Sequence, residues 1–390
     1  MHDSFLADAN TKLNEYLLKT EELFVNKKNE WFNSFANYLS EICKKISALQ
    51  KETGFPAISY LEYTMLYTNF INRHYVADIM AYGQGSYKDK MQKLVGSYDV
   101  SFVFVYYDEL WNSLEKMKKR YIGRASAQDV VAFMLRALPS FYSYLTNIAR
   151  FAIAESTEKK IFANIEKNED FNVNVGDYMA RTQTVYAEKK NKDASELAVW
   201  FSERLPKEYT FGDYSELDFT WKFLTHSDFR YARFQNSTLK QTYFFRSTLI
   251  GANYRNANME GAVLDYCFIN EADFSGAVLK NASFKNVRGK AGLTDKAEWK
   301  FAGFLPVSFR WADLACADFR WSNLAGADFR GANLTNADFR ATSLVGADFR
   351  QADLTGVDFW GANLTGVDFR DANLTGANLT GSILTGSILI

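Results

Sequence analysis

The residues best suited to chemistry in this chain are a histidine near an aspartate and a long series of regularly spaced charged residues. His74 and Asp78 are four residues apart, so on a helix they would lie one turn apart and could pair as a general base and its orienting group. The chain has only three histidines. We interpret His74 and Asp78 as a structural pair, and we expect no catalytic residue, no cofactor and no metal site.

Six aspartates recur at ten-residue intervals in the C-terminal half of the chain. A series of carboxylates could supply general acid–base pairs or a row of calcium ligands. A phenylalanine follows each aspartate, and the residue after a phenylalanine in this register is usually arginine. The aspartates are Asp318, Asp328, Asp338, Asp348, Asp358 and Asp368, and the arginines are Arg310, Arg320, Arg330, Arg340, Arg350 and Arg370. We expect the two rows to neutralise each other, and the alternative is that they recognise a partner.

Three tryptophans accompany these arginines. Trp311 and Trp321 each follow an arginine, and Trp360 takes the place of one. Exposed tryptophan beside arginine is the composition of interface hot spots. The alternative of recognition therefore predicts a partner-binding surface that consists of Arg310, Trp311, Arg320, Trp321, Arg330, Arg340, Arg350, Trp360 and Arg370.

A five-residue period positions all of these side chains. From Ala312 onward the chain reads ADLAC, ADFRW, SNLAG, ADFRG, ANLTN, with leucine or phenylalanine at every fifth position and usually a small residue two positions earlier. The same register can be followed back to Tyr214. Five residues match neither the 3.6-residue period of a helix nor the two-residue period of a strand, so each pentapeptide must turn a corner.

The pattern A(D/N)(L/F)xx resembles the pentapeptide-repeat family over about 45% of the chain. The resemblance implies a right-handed quadrilateral parallel β-helix over 214–390, with four pentapeptides in each coil. The central leucine or phenylalanine would fill the axis, the small residue would fit the interior corner, and the aspartate or asparagine between them would point outward. About 36 repeats would build roughly nine coils.

With four repeats per coil, the alternation of phenylalanine and leucine predicts stacked interior columns. One column would hold Phe309, Phe329, Phe349 and Phe369, the opposite one Phe319, Phe339 and Phe359, and a third Leu324, Leu344 and Leu364. Two outward columns would hold Arg310, Arg330, Arg350 and Arg370 on one side and Arg320, Arg340 and Trp360 on the other. By the same register, Cys267 should be buried and Cys316 exposed.

Three features interrupt or bound the repeats. Residues 286–303 keep the count of five but lose the pattern, which predicts a loop that projects from the coils. Residues 191–213 are expected to form a linker with a helix at about 193–204 that covers the first coil. The last repeats, with Leu384, Ile388, Leu389 and Ile390, stay in register, and we expect a homodimer through these C-terminal coils.

Residues 1–190 follow a helical period instead. Apolar residues from Trp31 to Leu49 fall on one face of an amphipathic helix, and Ser126 with Asp129 has the pattern of a capping box. Further helices are expected at about 3–25, 57–82, 98–121 and 126–166. We therefore predict an all-α bundle of five to seven helices, which makes the whole chain an α + β protein of two domains.

Composition and charge narrow the range of functions. The chain has 45 lysines and arginines against 46 aspartates and glutamates, so we expect no direct nucleic-acid binding. Three cysteines far apart in sequence fit a reducing compartment. The chain does not open like a signal peptide, and its longest apolar run, at 100–107, is too short to span a membrane. We expect a cytoplasmic protein without membrane contact.

Three functions are compatible with these observations. The preferred one is a non-enzymatic scaffold that presents a rigid β-helical rod to a protein partner, whose identity the sequence leaves open. The family resemblance implies the second, a DNA mimic that binds a type II topoisomerase and protects it from antibiotics or toxins. Its weakness is charge, because the region from Phe211 onward is nearly neutral, with 19 acidic and 18 basic residues. The third is an accessory protein of a biosynthetic pathway.

Overall fold

The computed structural model describes residues 2–83, 92–122, 125–158, 161–177, 181–188, 209–290 and 305–389. The chain divides into two compact units, Met1–Lys190 and Asn191–Ile390. The capping helix expected at about 193–204 lies outside the described residues.

The first unit combines helices with a five-stranded mixed sheet. Its elements are α1 (His2–Thr53), β1 (Ile58–Met65), α2 (Tyr67–Ile71), β2 (Val76–Gly83), β3 (Gln92–Asp99), α3 (Val105–Lys118), α4 (Ala127–Glu158), β4 (Lys167–Asp177) and β5 (Arg181–Glu188). The strand order is β3-β2-β1-β4-β5, in which only β1 and β4 pair in parallel. The expectation of an all-α bundle was therefore wrong.

The helix expected at 57–82 is instead β1, α2 and β2. The segment ISYLEYTM of β1 is rich in β-branched and aromatic residues, which favour strands. Because β1 is the central strand, residues on both of its faces are buried, and the alternation that marks a half-exposed strand is lost. Its parallel partner is β4, and Ile58 of β1 pairs with Lys167 of β4. No local sequence pattern reveals a pairing between segments so far apart.

Strand β4 did carry a sequence signal for a strand. Phe171, Val173 and Val175 are buried and alternate with Asn172 and Asn174, the two-residue period of a strand. The helix expected at 126–166 ends at Glu158, before this segment begins.

The other helical predictions were closer. The stretch at 3–25 and the amphipathic stretch that follows it form one continuous helix, α1, in which Phe35, Leu39 and Ile42 are buried. The predicted capping box precedes α4. The backbone N–H of Ser126 donates to Asp129 Oδ2 at 2.7 Å, and the backbone N–H of Asp129 donates to Ser126 Oγ at 3.2 Å.

The second unit is a solenoid in which parallel bridges join residues 20 positions apart, so four pentapeptides make one coil. Four ladders of such bridges run along it, one for each side of the coil. The ladder that begins with Asp213 and Arg233 continues to Asp368 and Ile388 through nine residues, and the other three ladders have eight residues each. Tyr209 already hydrogen-bonds to the next coil, so the repeats begin one pentapeptide before Tyr214.

The interior of the solenoid follows the five-residue register. The central residues of the repeats from Tyr214 to Phe284 and from Phe309 to Phe369 are buried, and so is Cys267, whereas Cys316 is exposed. The predicted phenylalanine columns are confirmed. Rings one coil apart stack, as in Phe309 and Phe329 with centroids 4.9 Å apart, while neighbouring columns meet edge to face, as in Phe309 and Phe319 at 5.6 Å.

Each coil turns its corners through residues with left-handed backbone. The residue two after each central residue has a positive φ, for example 57° at Trp311, 66° at Gly331 and 61° at Gln351. Left-handed φ favours glycine and asparagine, and both are frequent at this position in the sequence. That enrichment was a signal for the corners that the sequence analysis did not use.

The interruption of the repeats is shorter than expected. Residues 286–290 continue the coil, because the backbone N–H of Gly289 donates to the carbonyl of Asn323 at 2.8 Å and Val287 is buried. The prediction that the loop begins at Asn286 was therefore wrong. The bridges then change spacing, from 20 residues to 35 at Asp273 and Ser308, so 15 extra residues enter this coil without shifting the five-residue count. Residues 291–304 lie outside the described part of the chain.

Candidate functional site

Aspartate and arginine form an ion-pair ladder on two sides of the solenoid. We call one side the Arg310 face, with Arg310, Arg330, Arg350, Arg370, Asp328, Asp348 and Asp368. We call the side two repeats further along the coil the Arg320 face, with Arg320, Arg340, Trp360, Asp318, Asp338, Asp358 and Lys285. The structure thus divides the nine predicted partner-binding residues between two faces, and Trp311 and Trp321 lie at their corners.

Within a repeat, arginine forms two hydrogen bonds to the aspartate two residues before it. Arg350 donates from Nε to Asp348 Oδ1 at 2.9 Å and from Nη2 to Asp348 Oδ2 at 2.6 Å. The same Nε lies 3.6 Å from Asp368 one coil further on. On the Arg310 face each carboxylate therefore lies within ion-pair distance of two guanidinium groups, and charges of opposite sign neutralise each other within the column.

The pKa shifts agree with this pairing. Hydrogen bonds from the Arg370 guanidinium hold the pKa of Asp368 below its ordinary value. Partial burial pushes the pKa of Asp348 upward, but hydrogen bonds from Arg350 outweigh this effect and the pKa is lowered. The pKa of Arg350 is raised, first by its hydrogen bond to Asp348. Asp348, Asp368 and Arg350 are therefore all stabilised in their charged forms.

The Arg310 face carries a shallow groove of about 280 Å³. Its lining consists of Arg310, Trp311, Arg330, Arg350, Gln351, Arg370 and Asp371. Four of these residues are members of one predicted arginine column, and Trp311 was predicted with them. The groove is therefore the place where the structure brings part of the predicted surface together.

Trp311 is held at this groove by its contact with Gly331, the corner residue of the next coil. A Cβ atom on Gly331 would lie 2.2 Å from ring atoms Cε3 and Cζ3 of Trp311, so only glycine leaves room for the indole. Even so, 61% of Trp311 is exposed. The ring is packed on backbone and still offers a large apolar area to solvent.

Arg310 differs from the other arginines of its column. Position 308, where the following coils have Asp328 and Asp348, is serine, and Ser308 Oγ lies 2.9 Å from Ser275 Oγ. The carboxylate that Arg310 does approach is Asp328, at 3.9 Å from its Nε. Of the four arginines in this column, Arg310 alone has no aspartate two residues before it.

On the Arg320 face, positive and negative side chains are more nearly equal in number. Lys285 Nζ lies 3.3 Å from Asp318, and Arg320 pairs both with Asp318 in its own repeat and with Asp338 at 3.3 Å. At the other end Trp360 replaces arginine, and Asn378 donates to Asp358 at 2.9 Å. The guanidinium of Arg320 lies 5.2 Å from the ring of Trp321, a cation–π contact within one corner.

The first coils carry an aromatic patch that was not predicted from the sequence. Phe223 and Tyr243 stack with centroids 4.8 Å apart, and Tyr266 meets Phe245 edge to face at 5.5 Å, with the guanidinium of Arg246 5.2 Å from Phe245. These residues lie on the side of the coil that becomes the Arg320 face. The available signal was aromatic residues at positions where later repeats have aspartate and arginine.

The remaining sequence candidates are not assembled into a site. His74 precedes strand β2 and Asp78 lies within it, so the helical spacing proposed for them does not exist; Asp78 accepts a hydrogen bond from Ser97 Oγ at 2.9 Å. Across the described ranges, no three His, Cys, Asp or Glu residues are placed to hold a metal ion. No helix in those ranges is long and apolar enough to cross a membrane.

At the C-terminal coils, Leu384 is partly buried against the core, while Ile388 and Leu389 are about half exposed. Ile390 lies outside the described residues. Dimerisation through these coils stays a prediction.

The comparison with protein families agrees with this geometry. The model for the family described as pentapeptide repeats (8 copies) matches residues 242–281, 312–351, 332–371 and 352–389. The C-terminal region consists of pentapeptide repeats. No curated protein matches this chain.

Solved structures of pentapeptide-repeat proteins are similar to part of this chain. HetL of the cyanobacterium Nostoc sp. strain PCC 7120, involved in heterocyst differentiation regulation, is 21% identical; the alignment covers 50% of this chain and 94% of HetL, with a TM-score of 0.28. A trypsin-treated variant of QnrB1, a plasmid-mediated fluoroquinolone resistance protein, is 22% identical over 45% of this chain and 88% of its own, with a TM-score of 0.35. Rfr23 of the cyanobacterium Cyanothece 51142 is 26% identical over 30% and 85%, with a TM-score of 0.18.

Proposed function

We propose that this chain is a non-enzymatic protein-interaction scaffold whose pentapeptide repeats form a right-handed quadrilateral parallel β-helix and present the Arg310 face to a protein partner. The observation that carries the proposal is the groove in which Trp311 lies beside the column of four arginines. The proposal assigns binding to the Arg310 face and not to the Arg320 face.

The solenoid offers a rigid surface for such a role. Successive coils are joined by backbone hydrogen bonds on every side, such as Phe329 N–H to the Asp348 carbonyl at 2.8 Å. Stacked rings fill the interior beneath, with Phe329 and Phe349 centroids 4.7 Å apart. Outward side chains are therefore held at the regular spacing of the coils, and little backbone entropy remains to be lost when a partner binds.

The composition of the groove fits protein recognition. Arginine and tryptophan are the residues most enriched in interface hot spots, because both offer a large contact area together with hydrogen-bond donors. In the Arg310 face the guanidinium of Arg350 is oriented by Asp348, and Trp311 is oriented by its contact with Gly331. A partner meets side chains that are already in place.

The DNA-mimic alternative is less well supported. A mimic of the phosphate backbone needs a continuous row of uncompensated negative charge. Asp328, Asp348 and Asp368 each lie within ion-pair distance of arginine, and the same is true of Asp318, Asp338 and Asp358 on the other face.

The test compares two arginines that are nearly identical except for the face they occupy. Arg350 lies 2.6 Å from Asp348 and 3.6 Å from Asp368; Arg340 lies 2.6 Å from Asp338 and 3.7 Å from Asp358. Tagged full-length protein and the variants Arg350→Glu and Arg340→Glu would be used to capture partners from native lysate, with mass spectrometry of the bound proteins.

We expect wild type and Arg340→Glu to retain a common protein that Arg350→Glu loses, while circular dichroism shows all three folded. Capture of no protein by wild type would reject the scaffold. Equal loss by both variants would reject the assignment to the Arg310 face. Capture of type II topoisomerase subunits would favour the alternative function instead.

A further inference from the structure

We propose that the groove on the Arg310 face binds an extended acidic segment of the partner protein. In this arrangement the carboxylates of the segment accept hydrogen bonds from the outer N–H groups of the arginines, and an apolar side chain beside them packs on Trp311. The inference rests on the proposed function and adds the chemistry of the partner.

The arginines of the groove have N–H donors that are not used in hydrogen bonds to the ladder aspartates. A guanidinium group carries five N–H donors. In Arg330, Arg350 and Arg370 the hydrogen bonds to the ladder aspartates come from Nε and Nη2, and Nη1 makes no hydrogen bond among the described residues. One edge of each guanidinium is therefore used inside the ladder, and Nη1 remains available for acceptors of a bound chain.

The ladder aspartates also serve to position these donors. A free arginine side chain would lose conformational entropy when it binds a carboxylate, which reduces the affinity gained. Here the two-point contact of each guanidinium with its own aspartate already fixes the orientation, as in Arg370 with Asp368 at 2.6 Å. The column presents oriented donors to a ligand before binding.

The distribution of charged groups along the Arg310 face predicts that the ligand is negatively charged and that it binds at the Arg310 end of the groove. The Arg310 face has four guanidinium groups against three ladder carboxylates, because Ser308 stands in the place of an aspartate. Asp371 lines the groove beside Arg370, at the opposite end. With Asp371 the four guanidinium groups face four carboxylates, so the imbalance is local: positive charge is least compensated at Arg310, where an acidic side chain gains most and Trp311 is adjacent.

The dimensions of the column limit the length of the segment. Neighbouring coils lie about 4.8 Å apart, so three steps from Arg310 to Arg370 span roughly 14 Å, which is the length of about four residues of extended chain at 3.3 Å per residue. A short acidic stretch flanked by an apolar residue would fill the groove.

The test uses a fluorescein-labelled hexaglutamate peptide and the full-length protein, with fluorescence anisotropy at low salt. Hexaglutamine controls for peptide backbone, and a six-nucleotide oligothymidylate offers phosphate in place of carboxylate. We expect hexaglutamate to bind more tightly than both and to be weakened by added salt. Arg310→Ala should weaken it about tenfold or more, because a hydrogen bond to a charged group is lost. Arg340→Ala on the Arg320 face should change it less than twofold.

Equal binding of hexaglutamate and hexaglutamine would overturn the inference, and so would equal effects of Arg310→Ala and Arg340→Ala. Tighter binding of the oligothymidylate would also overturn it, because the groove would then take phosphate. These failures are distinct from failure of the scaffold, which shows as capture of no protein by wild type, and from failure of the assignment to the Arg310 face, which shows as equal loss by Arg350→Glu and Arg340→Glu. Circular dichroism of each variant establishes that it is folded.

Discussion

The two charged faces of the solenoid are built from the same repeat, yet they offer different surfaces to a partner. On both faces an aspartate inside the ladder is held by the arginine of its own repeat and approached by a basic side chain of a neighbouring coil, as in Asp348 and Asp318. The difference arises where the pattern is broken, at Ser308 on one face and at Lys285 and Trp360 on the other. The regular repeat neutralises itself, so recognition has to come from its irregular positions.

The largest effects should be the same on both faces, because the faces share one core. Phe329 lies beneath the Arg310 face and Phe339 beneath the Arg320 face, and both are fully buried. Phe329→Ala and Phe339→Ala should each lower the free energy of unfolding of the solenoid by about 3–5 kcal/mol. Urea denaturation followed by circular dichroism measures this. If the two variants differed by more than about 2 kcal/mol in their free energy of unfolding, the core beneath the two faces would not contribute equally to stability.

A smaller effect should distinguish the Arg310 face through Trp311. Gly331 and Gly346 have the same φ of +66°, but a Cβ on Gly331 would meet the indole of Trp311, whereas a Cβ on Gly346 would meet nothing within 4 Å. Gly346→Ala should cost about 1–2 kcal/mol through backbone strain alone.

Gly331→Ala should cost more than Gly346→Ala, and it alone should weaken hexaglutamate binding, since Trp311 has to move. Denaturation and anisotropy on the same samples check both effects. Equal behaviour of the two variants would mean that the position of Trp311 is unimportant.

Substitutions can also move the unpaired positive charge from the Arg310 face to the Arg320 face. Ser308→Asp supplies the carboxylate that Arg310 lacks in its own repeat and should weaken hexaglutamate binding about fivefold. Adding Asp318→Ser to this variant leaves Arg320 and Lys285 with one carboxylate fewer and should restore part of the binding, now on the Arg320 face. Anisotropy titrations measure both, with circular dichroism as the control for folding. Unchanged binding in Ser308→Asp would refute the role of the missing carboxylate.

The smallest effect is the response to acid, which the two faces should share. The pKa values of Asp318 and Asp348 are lowered in the folded protein, so their contribution to stability is present above the unfolded pKa, near 4, and is lost as pH falls through the folded pKa. Each pair is partly exposed and should contribute less than about 1 kcal/mol.

Asp318→Asn and Asp348→Asn should therefore lower stability slightly at pH 7 and reduce its further loss below pH 4. Urea midpoints at several pH values measure the change. A variant that loses as much stability as wild type between pH 5 and pH 2 would contradict the pairing.

The repeat half was predictable in detail because its interactions recur at a constant separation in sequence. Leu324, Phe329 and Leu334 are each assigned to the interior by register alone, and all three are buried. The corners were predictable in principle from glycine and asparagine. By contrast, β1 was assigned to a helix because both of its faces are buried, which removes the two-residue alternation, and because its partner β4 is distant in sequence.

The candidate site was predicted only in part. The register placed Arg310, Arg330, Arg350 and Arg370 in one outward column, and these four residues line the groove. It gave no reason to prefer this column over that of Arg320 and Arg340. Ser308 was visible in the sequence as a departure from aspartate, but its significance depends on which residues lie beside it in the neighbouring coils.

The sequence alone determined the period, the interior columns and the direction in which each repeat residue points, because these depend on a local rule repeated many times. Only the tertiary structure decided which side chains of neighbouring coils contact each other. Gly331 beneath Trp311, Ser275 beside Ser308 across the 15 extra residues, and Asp348 shared by Arg330 and Arg350 all depend on stacking. In the first unit the same limit was more severe, since pairing between β1 and β4 joins segments without any repeating pattern to relate them.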